Sequence, residues 1–322
     1  MINALKSVRH LATSTVKHTV SEFRMPVPWG EMRGRIWGPD HGRPILCIHG
    51  WSDNSGSFNT LIPLLPNDWR CLAIDLPGHG FSSHRPPGVF YSFPYYIADL
   101  RRVVEALQWK RFSIIGHSMG GNIAGLFSAM YPEMVDAVVL LDSYGFLPAD
   151  VKKMNTNLRK GIDELLEYEK KMDDRRERIY AYESAKERLK AANPTLSDQS
   201  VQILLERGVR QVDSGVVFTR DIRINLTNIA RMDLDQSLRL QEQIQAKVLV
   251  MRATEGLTIT FPQPEEFMVA IEKGWEDKNN SIVVVEGDHH VHLNNPSVVA
   301  PLITEFLQSV APEHMSNQAA KL

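Results

Sequence analysis

The pentapeptide Gly116-His117-Ser118-Met119-Gly120 sets a serine between two glycines. It follows the apolar run Phe112–Gly116 and precedes the helix-like run GNIAGLFSAM. In that strand–turn–helix setting a G-x-S-x-G match has a mechanical meaning. The sharp turn strains the serine backbone and lifts its hydroxyl to the edge of a sheet, near the positive end of a helix. The flanking glycines let strand and helix pass closely. The chemistry this predicts is nucleophilic: Ser118 Oγ attacks a carbonyl and carries a covalent acyl intermediate. The bland alternative is an inert serine in a glycine-rich turn.

Such a nucleophile needs oxyanion donors, a base and an acid. His49-Gly50-Trp51 follows the apolar run PILCI. A loop at that place and the residue after the nucleophile are the usual donors, which nominates the backbone N–H groups of Trp51 and Met119. Each donor aimed at a developing oxyanion contributes about 3 kcal/mol to the transition state. The base is expected late in the chain, where Gly287-Asp288-His289-His290-Val291-His292 follows the run SIVVVEG. His289, three residues past the strand end, is the expected proton acceptor. His292 is assigned to support of the loop and His290 to solvent. His289 and His292 also have i,i+3 spacing suited to a metal. No further Cys, His or carboxylate cluster completes that set, so neither metal nor cofactor is expected.

The acid is open. After the strand preceding the base the chain reads KVLVMRATEGL, with Gly256 at the expected position and Glu255 as the one nearby carboxylate. Asp142, at the end of VVLLDSYG, can reach the same histidine from the carboxyl end of its own strand. Asp142 is preferred and Glu255 is the alternative.

These residues must be positioned by a sheet. Short β-branched runs predict strands at Met32–Trp37, Pro44–Ile48, Arg70–Ile74, Phe112–Gly116, Ala137–Leu141, Lys247–Met251 and Ser281–Val285. Most are continuously apolar, as in parallel strands covered on both faces. Helical spacing at Tyr95–Leu107, after Ser118 and at Val298–Leu307 alternates with them. The pattern predicts a doubly wound α/β sheet, mostly parallel. Residues 146–240 break the alternation: they show no clear strand and abundant Glu–Lys/Arg pairs at helical spacing. They are read as an inserted helical cap between core segments 21–145 and 241–311. A separate coiled coil is the weaker alternative, since no apolar heptad persists.

With 322 residues, 43% hydrophobic and 23% charged, the chain is long enough for one domain with an insertion. A net charge of −2 argues against a general nucleic-acid partner. No apolar run reaches the roughly 18 residues that span a bilayer. Cys47 and Cys71 lie in strand-like runs and are read as buried thiols. Residues 1–20 are basic, amphipathic and resemble a mitochondrial presequence. Ala320-Lys321-Leu322 is a conservative variant of the peroxisomal Ser-Lys-Leu address, read by an import receptor at the end of the polar 312–322 tail. A peroxisomal location is therefore expected, with mitochondrion or cytoplasm as alternatives.

HGWSDNSGSF, AIDLPGHGFSS and GHSMGG together resemble the α/β-hydrolase superfamily over residues 20–310. The resemblance is closest to the serine hydrolase-like, kraken-type group, through HGW-x-DN at 49–54, FTRDIRINL at 218–226 and GDHHVHLNNP at 287–296. It implies a Ser–His–acid site, a helical cap and no cofactor. Asp75, in D-x-P-G-x-G, resembles an architectural residue that shapes the turn after its strand. The expected function is hydrolysis of a small-molecule ester or thioester. The alternatives are a catalytically silent ligand-binding protein on the same fold, or C–C bond cleavage with the same triad.

Overall fold

The computed structural model describes residues 19–172, 177–257, 263–278 and 280–310. The expected N-terminal presequence falls on residues 1–18 apart from its last two positions, and the C-terminal address falls within 311–322; both lie outside the described residues.

The frame is an eight-stranded sheet. In chain order its strands are β1 (Val20–Val27), β2 (Gly30–Trp37), β3 (Arg43–Ile48), β4 (Trp69–Asp75), β5 (Phe112–His117), β6 (Val135–Leu141), β9 (Lys247–Glu255) and β10 (Ser281–Asp288). Strands β7 (Val209–Val212) and β8 (Gly215–Phe218) form a separate hairpin. The sheet order is β1-β2-β4-β3-β5-β6-β9-β10. β2 pairs antiparallel with both β1 and β4, and every other pair is parallel. The central strands are apolar along their length because both faces are covered. β3 sends Leu46 and Ile48 into one core, Ile45 and Cys47 into the other.

The first core is roofed by helices α1 (Phe93–Ala106) and α2 (Met119–Met130), through Ile97, Leu100, Ile123 and Phe127. Between β6 and β9 the chain makes α3 (Met154–Lys170), α4 (Tyr182–Ala192), α5 (Asp198–Gly208), the β7–β8 hairpin and α6 (Leu234–Gln243). Leu234, Leu238 and Leu240 of α6 pack on the first core, as do Ile271 and Trp275 of α7 (Glu265–Asp277). The opposite core is closed by Leu61, Ile62 and the last helix, α8 (Pro296–Ser309), through Ile303 and Leu307. Cys47 and Cys71 are free, buried thiols in this second core. Among the described residues no helix is long and apolar enough to cross a membrane.

Two features depart from the pattern reading. β1 carries no apolar signature because it is an exposed edge strand with only Met25 buried, a place where Pro26 is tolerated. The segment 146–240 is not free of strands: it contains β7 and β8. Four residues are too few to display an alternating pattern, and Arg210 and Gln211 in β7 mask what there is.

The segment between β6 and β9, termed the cap for its expected role, is tied to the core through Asp75, at the end of β4. Its carboxylate accepts from the backbone N–H groups of Ser55 (2.7 Å) and Phe81 (2.9 Å), and from Arg207 Nε and Nη2 at 2.9 and 2.7 Å. Arg207 belongs to α5 and also reaches Glu22 of β1 at 2.6 Å. Both side chains of the Asp75–Arg207 pair are fully buried. Asp75 thus shapes the turn after its strand and also anchors the cap.

Burial alone would raise the Asp75 pKa, but the Arg207 charge and the hydrogen bonds outweigh it and hold the group below its ordinary value. Its stabilisation is therefore present above about pH 4, the unfolded value, and is lost as pH falls through the folded one. Arg207→Met, which strands a buried carboxylate, should cost about 3–5 kcal/mol in urea unfolding at neutral pH. A destabilisation below about 1 kcal/mol would mean that the pair does not hold the cap.

Candidate active site

Ser118 joins β5 to α2 with φ 51° and ψ −117°, a strained backbone for a residue with a side chain. Its N–H is held by the Leu141 carbonyl at 3.1 Å. A Cβ on Gly116 would lie 2.5 Å from the Gly120 carbonyl oxygen, and one on Gly120 would overlap the Ile48 carbonyl. Strand, turn and helix can cross only because both positions lack side chains.

The hydroxyl so presented meets an imidazole. Ser118 Oγ lies 3.0 Å from His289 Nε2, and His289 Nδ1 lies 2.5 Å from Asp142 Oδ2. A carboxylate only accepts, so Nδ1 carries the proton and Nε2 offers its lone pair to the serine hydroxyl. The β10–β9 register slips between Val285 and Asp288, and this irregularity precedes His289.

Asp142 is buried, with φ 42°, and its N–H is bound to the Met251 carbonyl at 2.8 Å. Its oxygens accept from the N–H groups of Ala253 (3.0 Å) and Leu257 (2.6 Å). A Cβ on Gly256 would overlap both Asp142 oxygens. The glycine at the expected acid position is thus the space that the Asp142 carboxylate fills. Glu255 is exposed at the end of β9, opposite Asp288.

Met119 is the first residue of α2, so its N–H has no acceptor within the helix. Gly120 runs against the carbonyls of Ile48 and His49, which brings the start of α2 beside the loop that carries Trp51. The Trp51 indole is half exposed and donates to the Ile224 carbonyl of the cap at 3.1 Å. His49 is architectural: Nδ1 donates to the Gly50 carbonyl and Nε2 accepts from Leu76 N–H.

The other two histidines of the 287–292 segment differ from expectation in one respect. His290 does not face solvent: it is 5% exposed, with Nε2 3.2 Å from Asp53 Oδ2. The HGW-x-DN loop carries that aspartate inward, which the sequence pattern alone does not signal. Burial works to lower the His290 pKa, but Asp53 outweighs it and the value is raised. His292 is fully buried against Ser57 Oγ at 2.7 Å and is pushed well down by burial. It supports the loop, as expected. His117, within the elbow, packs against all three, with ring centroids 4.7, 5.0 and 4.2 Å from those of His289, His290 and His292. Its Nε2 donates to the His289 carbonyl at 2.8 Å, and burial pushes its pKa down to about 4. Asn294 clamps the segment, donating to Asp288 at 2.7 Å and accepting from Ser200 of α5 at 2.7 Å.

A separate cavity of about 480 Å³ lies in the cap; Arg178, Arg188, Arg220 and Tyr180 line it, and Ser118, His289 and Asp142 do not.

Comparison with known proteins gives a consistent picture. A family model described as alpha/beta hydrolase fold matches residues 43–188. A serine hydrolase-like protein of Danio rerio is 62% identical over 319 residues, covering 99% of this chain and 98% of that protein. Serine hydrolase-like protein 2 of Homo sapiens is 38% identical over 301 residues, covering 90% and 94% respectively. Among solved structures, a hypothetical protein from Pseudomonas aeruginosa PAO1 has a TM-score of 0.79 at 27% identity, covering 89% of this chain and 99% of that one.

The His289–Asp142 contact has a direct readout. An imidazole N–H held by a carboxylate gives a low-field proton NMR resonance, which Asp142→Asn and Gly256→Ala should both erase. Glu255→Gln should leave it in place. A resonance that survives Asp142→Asn and vanishes with Glu255→Gln would reassign the partner.

Proposed function

We propose that this chain, which belongs to the serine hydrolase-like proteins of the α/β-hydrolase fold, cleaves a carboxylic ester or thioester through an acyl-enzyme on Ser118. The observation that carries the reading is the continuous chain from Ser118 Oγ through His289 to Asp142.

In this mechanism His289 Nε2 takes the proton from Ser118 as Oγ attacks the substrate carbonyl. The oxyanion forms beside the N–H groups of Met119 and Trp51, and the positive end of α2 favours it. Protonated His289 then gives its proton to the departing alcohol or thiol, leaving the acyl group on Ser118. A water activated by His289 Nε2 releases the acid and restores the serine. Asp142 fixes the tautomer and stabilises the imidazolium. The small-molecule acyl substrate enters under the cap segment that hydrogen-bonds Trp51.

The silent-binder reading draws on the lack of a carboxylate after β9. Asp142 offers His289 such a group, so that reading loses its motive. The substrate class rests on the serine nucleophile, since an oxyanion site built from amides suits acyl transfer.

A fluorophosphonate probe should label the wild-type protein once per chain, and Ser118→Ala should abolish labelling without unfolding. A folded wild type that resists the probe would overturn the proposal. With aryl esters and acyl thioesters of graded chain length, Asp142→Asn should lower kcat by about 10,000-fold, whereas Glu255→Gln should leave it unchanged.

A further inference from the structure

Behind the nucleophile, three side chains from three segments converge on one point. One ligand-type atom from each of Asp53, His117 and His290 lies within 4.8 Å of the other two. Asp53 belongs to the loop after β3, His117 to the end of β5 and His290 to the segment after β10. All three are more than nine-tenths buried, at 7%, 1% and 5% exposure.

Asp53 Oδ2 is in hydrogen-bond contact with His290 Nε2 at 3.2 Å, but its approach to His117 is not closed in the same way. His117 Nε2 faces the His289 carbonyl, which can only accept, so the ring's N–H sits on Nε2. A neutral ring then turns the Nδ1 lone pair towards the Asp53 carboxylate, 3.5 Å away. Among the described residues Nδ1 has no hydrogen-bond partner. Two buried acceptors facing each other are unfavourable unless something positive stands between them. A doubly protonated His117 would draw the carboxylate to about 2.7–2.9 Å, the usual length for a charge-assisted bond. The 3.5 Å separation is too long for that.

The two separations from Asp53 fit a bound cation. Zn²⁺ with N and O ligands at about 2.0–2.2 Å in tetrahedral geometry separates neighbouring ligand atoms by roughly 3.3–3.5 Å. The Asp53–His290 and Asp53–His117 separations are 3.2 and 3.5 Å. The space is kept open by Gly50, where a Cβ would lie 2.8 Å from His117 Nδ1 and 3.3 Å from Asp53 Oδ2. The second ring nitrogen of His117 gives its proton to a backbone carbonyl, the arrangement that orients a metal-binding histidine.

We propose that Asp53, His117 and His290 form a binding site for a divalent transition-metal ion, with Zn²⁺ as the best match to two imidazoles and one carboxylate. The ion pins the loop after β3, the elbow and the base-bearing segment to one another. It uses none of Ser118, His289 and Asp142, and acts on them through the backbones of residues 117 and 289. The i,i+3 pair that the sequence offered for a metal, His289 and His292, is not the set used.

The test is titration of chelator-treated, full-length protein with Zn²⁺, and with Co²⁺ as a spectroscopic probe. One equivalent should bind, and Co²⁺ should give the visible absorption of a tetrahedral N/O site. His289→Ala should bind as wild type does, which separates this site from the Ser118 centre. Asp53→Asn should weaken binding by more than about 100-fold, since loss of an outer partner alone costs 10–100-fold. Should that variant not fold, zinc-soaked wild-type crystals provide the second measurement, with an anomalous peak expected between the three ligand atoms. Absence of a peak there, or zinc binding that survives Asp53→Asn and disappears with His289→Ala, would overturn the proposal and leave the cluster held by protons alone.

Discussion

The whole centre hangs on a steric contact: α2 starts so close to β5 and to the end of β3 that Gly116, facing the Gly120 carbonyl, and Gly120, facing the Ile48 carbonyl, have no room for a Cβ. That closeness bends the connecting residue into the φ 51° conformation at Ser118. A relaxed turn would be less strained locally, but it would swing the hydroxyl away from the carboxyl edge of the sheet. Packing on both sides of the sheet supplies the stability that offsets the strain. The same crossing sets Met119 N–H at the head of α2 and presses that helix start against the loop bearing Trp51. Candidate nucleophile, helix dipole and candidate oxyanion donors therefore come as one mechanical unit.

The acid illustrates how a fold can keep an interaction while changing its source. At the end of β9 the chain has Gly256, and the carboxylate of Asp142 from the adjacent strand β6 occupies the room that this glycine leaves. Two backbone amides, from Ala253 and Leu257, hold the oxygens in place. Asp142 is thus gripped by the segment that has glycine at the expected acid position. Glycine at 256 and aspartate at 142 form a matched pair, and neither makes sense without the other.

Around this centre lies a layer of histidines whose environments differ sharply. His49 and His117 are buried and held neutral, with their ring protons engaged by carbonyls. His290 faces Asp53, with Nε2 3.2 Å from its carboxylate. Among the described histidines after β10, His289 alone touches the serine. The loops that carry them are fastened to the cap as well as to one another, through Asn294 to Ser200 and through Asp75 to Arg207. Cap and core thereby share the burden of holding the base in place.

The sequence alone determined the parts governed by short-range sterics and periodicity. A serine between glycines at a strand–helix junction, continuous apolar runs alternating with helical spacing, and a histidine past the last strand are all local patterns, and they predict both the sheet and the nucleophile's position. What depends on distant partners was decided only by tertiary structure. Asp142 and His289 are 147 residues apart, and the choice between Asp142 and Glu255 turns on the space beside Gly256, which no linear pattern records. The burial of His290 against Asp53 follows from a pairing 237 residues apart. The edge strand β1 stayed hidden because it is mostly exposed, and the β7–β8 hairpin because four-residue strands are too short to imprint an alternation. Local backbone chemistry is written into neighbouring residues, whereas a carboxylate's partner is fixed only when the sheet brings strand ends together.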